Sequence, residues 1–429
     1  MAHEHHANSL PADLNAPAFV DGWRKRALLV GAVFAALSAV LAFLAATVDH
    51  DGIQHLLRSY LMGYAISWGF ALGGLALLMV QYLSGGKWGL VVRRPLEAMS
   101  RTLPMVLVMF LPIGLGMKQL YLWARVANPA EALKAHLITR DQANAIMVKH
   151  PMLSIPSVWV QTLICFGIWI GMMLLLNRWS LERDADPERR VRFWQVKFEN
   201  LSGIGVVIYA ITMTVCAIDW IMSLNVSWYS TMYGFLFLVG QGYGVLALAI
   251  MTTIRLSKAD PVKSILRPVE QHDLGKLAFA FVMLNIYIAF SQFLIIWSGN
   301  LPDEIPWYLD RIRGGWGVVG TLDFIFHWVL PFTLLLSRDL KRNKERLVLV
   351  CKIMIFARCW DMFWLIEPNF PDAARNLHFS FGILEYATVP VAVISFWMWL
   401  YFGQLQKRPL IQTNDPHLDE ILEAEHAHA

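Results

Sequence analysis

The segment from Arg346 to Phe370, RLVLVCKIMIFARCWDMFWLIEPNF, limits what the rest of the chain can be. Its apolar run has the length of a bilayer-crossing helix, which needs about 20 residues. Yet Lys352, Arg358 and Asp361 fall inside it. A charge near mid-bilayer costs roughly 2.5–3.5 kcal/mol on insertion scales, so three unpartnered ones would cost on the order of 8–10 kcal/mol. Such a helix persists in a membrane only when its polar face looks into a bundle that supplies partners.

Composition puts the whole chain in the same class. Of 429 residues, 57% are hydrophobic, 13% aromatic and only 16% charged, with mean hydropathy +0.47. Soluble domains carry about 25% charged residues, so an all-α integral membrane protein is expected. Cys165, Cys216, Cys351 and Cys359 lie in apolar segments and form no CxxC pair. Neither disulfides nor Cys-ligated clusters are expected from that spacing. The polar leader before the first apolar run is no cleavable signal, so the first span is expected to act as its own.

Hydropathy predicts ten spans, at about 26–47, 59–83, 99–120, 154–177, 200–221, 230–254, 274–298, 315–337, 345–366 and 379–402. Basic residues gather in alternate loops: Arg24 to Arg26, Arg93 and Arg94, Arg183 to Lys197, Arg255 to Arg267, and Lys341 to Arg346. By the positive-inside rule both termini are cytoplasmic. Residues 1–25 and 403–429 are then cytoplasmic tails around a membrane domain, 26–402. The opposite face carries a loop at 121–153, where Asn128-Pro129-Ala130-Glu131 reads as a capped helix start. That helix is a surface element or a docking surface. Trp220, Trp228, Tyr229, Trp307, Tyr308 and Trp364 fall near predicted outer ends, where aromatic belts sit. HEHH at residues 3–6 and the terminal HAHA read as polar tails before metal sites.

At 1.5 Å rise per residue the intramembrane ionisable groups sort by depth. Asp219 lies at the outer end of span five. Asp323 is about 12 Å in, with His327 near mid-membrane on the same face of span eight. In span nine Lys352 is in the inner third, Arg358 central and Asp361 one turn further out. Glu385 lies about 10 Å from the outer surface in span ten. Gln241, Tyr243, Asn285, Ser291 and Gln292 add neutral polar groups at middle and outer depth. Carboxylates and a histidine at graded depth are what a proton relay needs.

The competing reading is structural. Arg358 with Asp361 or Glu385 reads equally as an interhelical tie, and Asp219 equally as a turn cap or a snorkelling acid. For Asp323, His327 and Glu385 a functional role is favoured. They are expected to form an outer half-path biased by Arg358, with Lys352 and Tyr243 or Gln241 continuing inward. A membrane b-type haem needs two facing histidines, and only His327 is well inside a span. Gly85-Gly86 and Gly314-Gly315 lack the flanking residues of a nucleotide loop. No redox cofactor, no metal and no nucleic acid are expected in this chain.

Three segments carry a family resemblance: SGGKWGLVVRRPLEAMSRTLP (84–104), AIDWIMSLNVSWYSTMYGFLFLVGQ (217–241) and FSQFLIIWSGNLPDEIPWYLDR (290–311). They resemble the ActF subunit of bacterial alternative complex III, a quinol:cytochrome c (or other acceptor) oxidoreductase, within the NrfD/PsrC-like membrane subunits. The resemblance implies two four-helix bundles with peripheral helices, in a bacterial inner membrane. It implies an ActC-like sibling, an iron–sulfur subunit and haem c subunits as partners, with a terminal oxidase as a further candidate. Haem c and iron–sulfur clusters would then sit in the partners. Quinol is a possible ligand of this chain, but the quinol site is expected in the sibling and a proton path here. Asp219, in the Asp-Trp segment, is the position the resemblance carries over most directly. The alternative function is a secondary transporter using the same polar cavity, and a third is a structural anchor.

Overall fold

The computed structural model describes residues 11, 13–49, 54–188, 190–370, 377, 381–415, 417, 418 and 420. Both histidine-rich tails and most of the loop after span nine lie outside them. The described residues are helical, without a strand. That is what a chain with no water to satisfy its backbone must do.

Helix α1 runs Phe19–Leu44 and α2 runs Gln54–Ser84. The third span is broken by its prolines into α3 (Trp88–Ser100), α4 (Leu103–Met109) and α5 (Leu111–Leu115), with Pro95 inside α3 and Pro104 and Pro112 starting the next two. It therefore begins eleven residues before the expected 99, and Arg93 and Arg94 are buried helix residues, not loop residues. On the far face α6 (Pro129–Lys134) starts as expected, with Asn128 Oδ1 accepting from Ala130 N at 3.2 Å. A second short helix, α7 (Arg140–Lys149), opens on a Thr139/Gln142 capping box that the reading above did not include.

Then follow α8 (Ile155–Asp184), α9 (Val191–Trp220), α10 (Tyr233–Leu256) and α11 (Pro268–Gly299). A short α12 (Ile305–Ile312) leads into α13 (Trp316–Phe324), a π-helical segment Ile325–Val329 and α14 (Leu330–Leu336). The last two spans are α15 (Lys344–Ile366) and α16 (Phe381–Leu405).

Among the described residues nine helices are long and apolar enough to cross a membrane. Helix α15 is the tenth: its 23 residues reach about 34 Å at 1.5 Å each. Lys352, Arg358 and Asp361 alone set it apart from the others.

Spans two to five form one bundle (α2, α3–α4, α8, α9) and spans six to nine a second (α10, α11, α13–α14, α15). Helices α1 and α16 lie outside, packed on each other and on α2. Helix α2 belongs to both halves, since α10 and α15 also pack on it, and it is buried almost all round. Small residues let backbones approach: a Cβ at Gly63 would stand 2.9 Å from Pro390 Cα. The first bundle is filled by rings, with Trp68 and Phe110 each 4.9 Å from Trp220. Trp220, Trp228 and Trp307 were expected in an interfacial belt, yet all three are buried. Trp228 stacks on Trp307 at 4.5 Å, so protein rather than headgroups takes up these rings.

Candidate functional site

Pro331 shapes the site before any titratable group does. It has no N–H, and its ring clashes with the carbonyl four residues back, which belongs to His327. The helix responds with the π-helical turn Ile325–Val329. The His327 carbonyl takes a donor from another helix instead: Tyr243 Oη on α10, at 3.2 Å. The Tyr243 ring lies 4.6 Å from the imidazole. The side chain is fixed with its Nδ1 3.6 Å from Asp323 Oδ1. That is beyond hydrogen-bond length but within ion-pair distance. His327 Nε2 and Asp323 Oδ1 are buried and accept or donate no hydrogen bond within the structure.

Helix α15 brings the third and fourth groups. Arg358 and Asp361 are bonded to each other one turn apart. Gly240 on α10 makes room for the guanidinium, because a Cβ there would stand 2.7 Å from Arg358 Cζ. The Phe237 ring covers the cation at 5.4 Å. Ligand-type atoms of Asp323, His327 and Asp361 all lie within 4.8 Å of one another. One imidazole and two carboxylates could in principle surround a metal ion. Arg358, bonded to Asp361, is the cation already present among them.

Asp323, His327 and Asp361 line a cavity of about 700 Å³ in the second bundle, which opens to the surface beside exposed Phe290 and Phe324. Asn285 and Gln292 of α11 and Tyr308 and Arg311 of α12 add polar groups to a wall that is otherwise mostly apolar, with Leu236, Ile286, Phe293 and Leu365 among its side chains. Gln292 Nε2 and Tyr308 Oη are 3.4 Å apart, and Asn285 Nδ2 is buried without a partner. Arg311 is 1% exposed, lies 3.6 Å over the Trp307 ring and donates to the Trp307 and Leu365 carbonyls. No described carboxylate lies within ion-pair distance of it, so its charge is held by carbonyl oxygens and rings.

The other expected site residues stand elsewhere. Lys352 is on the exposed face of α15 with Leu349 and Phe356, where its stem can snorkel toward the basic end. It does not continue a path inward. Gln241 faces the first bundle, accepting from Tyr209 Oη at 2.9 Å. Asp219 is 2% exposed, which removes the snorkelling reading. It sits at the end of α9, where Ser223 Oγ donates to its carbonyl at 2.6 Å and its Oδ2 is buried without a partner. Glu385 is fully buried on α16, one turn from Gly382, which abuts His55. It does not line the cavity of Asp323 and His327.

Two polar clusters went unread in the sequence. At one end, fully buried Glu367 lies 3.7 Å from His55 Nδ1 and 3.5 Å from Arg58 Nη1, and Tyr386 Oη donates to it. At the other, Arg94 bonds Glu97 at 2.6 Å and also bonds Asp184, while Arg93 and Arg183 bond Gln412. Arg93 also bonds Asp415. Burial alone would raise the Asp415 carboxyl, but Arg93 and Arg183 hold it down at about 2. The signal available was a pair of arginines followed by an acid at helical spacing in 93–97.

Asp323, His327 and Asp361 thus meet at one cavity, with the permanently charged Arg358 bonded to Asp361 behind them. The two carboxyls and the imidazole are groups that can take, hold and release protons. No protein-family model matches the chain, and no curated protein does.

Proposed function

We propose that the chain is the ActF-like membrane subunit of a quinol:acceptor oxidoreductase, and that its second bundle carries protons. One observation supports this most: two carboxylates and an imidazole within 4.8 Å, beside a cation, in a cavity lined by further polar groups. The imidazole can take a proton at one nitrogen and release one at the other. Asp323 faces its Nδ1, and its Nε2 has no competing partner. Asn285, Gln292 and Tyr308 extend the polar lining toward α12. Tyr243 positions the imidazole through its backbone and is not itself a carrier in this reading. Electrons would pass through partner subunits, and quinol oxidation would take place in the ActC-like sibling. Both termini would face the cytoplasm.

The test replaces Asp323 by Asn, which keeps size and removes the titration. The assembled complex should form normally and translocate protons at least tenfold more slowly. Unchanged translocation in both Asp323→Asn and His327→Gln would remove the assignment.

The transporter reading draws on the break in span eight at Ile325–Val329, since interrupted helices line transporter sites. Purification separates the two. A subunit comes out with haem c and iron–sulfur chains, a transporter alone or as an oligomer.

A further inference from the structure

Helices α1 and α16 leave an apolar groove between them, closed behind by α2 and α4. Its volume is about 530 Å³, and Leu28, Ala35, Ala39, Tyr60, Val393 and Phe396 line it. Ala32, Ala35 and Ala39 are exposed along α1 and Phe396 along α16, so the groove is open on the outer surface of the molecule. From Leu28 to Ala39 it spans eleven residues, about 16 Å of helix. That matches one leaflet, since half of a hydrocarbon core is about 15 Å.

What lies at its end is not apolar. Arg24, one turn before Leu28 on the same stripe of α1, holds its guanidinium 5.3 Å over the Trp399 ring and against Gly403. Its Nε is buried without a partner, and no described carboxylate pairs with it. At the next residue, Arg101 Nη2 donates to the Gln404 carbonyl at 2.7 Å. One turn further Arg408 donates to the Asn177 carbonyl at 2.9 Å. Arg101 and Arg408 share a single carboxylate, Glu97, at 3.8 Å from each, and Glu97 is already bonded to Arg94 at 2.6 Å. Positive charge is therefore in excess where the groove ends.

We propose that this face is a binding site for one anionic phospholipid. An acyl chain fills the groove, and the headgroup phosphate lies against Arg24, with Arg101 and Arg408 supplying the surrounding field. The end of the molecule fits, because anionic headgroups are attracted to basic residues just beyond a span. A bidentate guanidinium–phosphate contact is the strong form of such a pair.

Native mass spectrometry of the full chain in detergent, titrated with phosphatidylglycerol or phosphatidylcholine, reads the site directly. One phosphatidylglycerol should be retained, with phosphatidylcholine bound at least fivefold more weakly. Arg24→Gln should lower phosphatidylglycerol occupancy at least fivefold. Ala35→Trp, which fills the groove and leaves the arginines alone, should lower the occupancy of both lipids. If Ala35→Trp does not fold, Arg24→Gln decides. Equal retention of the two lipids by the unaltered chain, or full phosphatidylglycerol occupancy in Arg24→Gln, overturns the proposal. So does displacement of the lipid by millimolar inorganic phosphate, which would mean an anion site without a chain.

Discussion

Arg358 and Asp361 make the cost of a buried charge measurable. Removing one partner of a buried ion pair leaves the other uncompensated and costs about 3–5 kcal/mol, while replacing both with apolar residues is often neutral. Asp361→Asn should therefore unfold at markedly lower temperature in detergent. Arg358→Met with Asp361→Leu should recover most of the loss. A double variant no more stable than the single one would show that the pair is not what Arg358 needs. At this scale the sequence was partly legible. Asp323 with His327, and Arg358 with Asp361, are joined by helical spacing, and both pairs hold. Lys352 was misplaced although the helical period was enough to place it: nine residues at about 100° each put it on the side opposite Asp361. Glu385 was misplaced for a different reason. Depth along a helix says nothing about which way a different helix is turned, so residues at equal depth in spans eight and ten can face separate interiors.

Among the elements, the segment around Pro331 carries the clearest dependence of site on backbone. Tyr243→Phe removes only the hydroxyl that donates to the His327 carbonyl, a bond worth about 1 kcal/mol. A modest loss of stability is expected, with a larger effect on proton translocation because the imidazole loses its register. Equal translocation at reduced stability would make Tyr243 a packing residue only. A proline at 331, inside a span, marks a helix break in any reading of the sequence. That it would turn His327 toward Tyr243 is not legible there, since a proline tells where a helix breaks and not which neighbour repairs it. The tie at residues 410–415 makes a second prediction. Asp415 is held at about 2 against a usual 3.8. A lowered carboxyl contributes stability that is complete above its ordinary value and is lost as pH falls through the folded one. The segment should stay protected from pepsin at pH 4 and lose protection only as pH approaches 2. Asp415→Asn should be cleaved equally at both values. Loss of protection already at pH 4 in the unaltered chain would mean that the carboxylate does not hold the segment.

Across the whole molecule, the count of spans and their order followed from hydropathy, and the described helices match that count. The division into two bundles came from the family resemblance, because nothing in a single hydropathy profile says which helices touch. The orientation makes its own prediction. With the four native cysteines changed to Ser, a cysteine at exposed Lys407 and one at exposed Leu137 should react with an impermeant maleimide from opposite sides of the membrane. Lys407 should be reached from the cytoplasm. Labelling of both from one side would contradict the span count.

Helix α2 is enclosed by neighbours that the ribosome has not yet made when α2 leaves the tunnel. Helices α10, α15 and α16, which cover it, are encoded roughly 180 to 330 residues later. During synthesis α2 must reside in lipid by its own apolar character, and the mature arrangement can form only when the final span arrives and docks. Truncation before Phe381 should thus yield inserted chains in which α2 keeps its first-bundle neighbours but the face that α16 covers stays open to lipid.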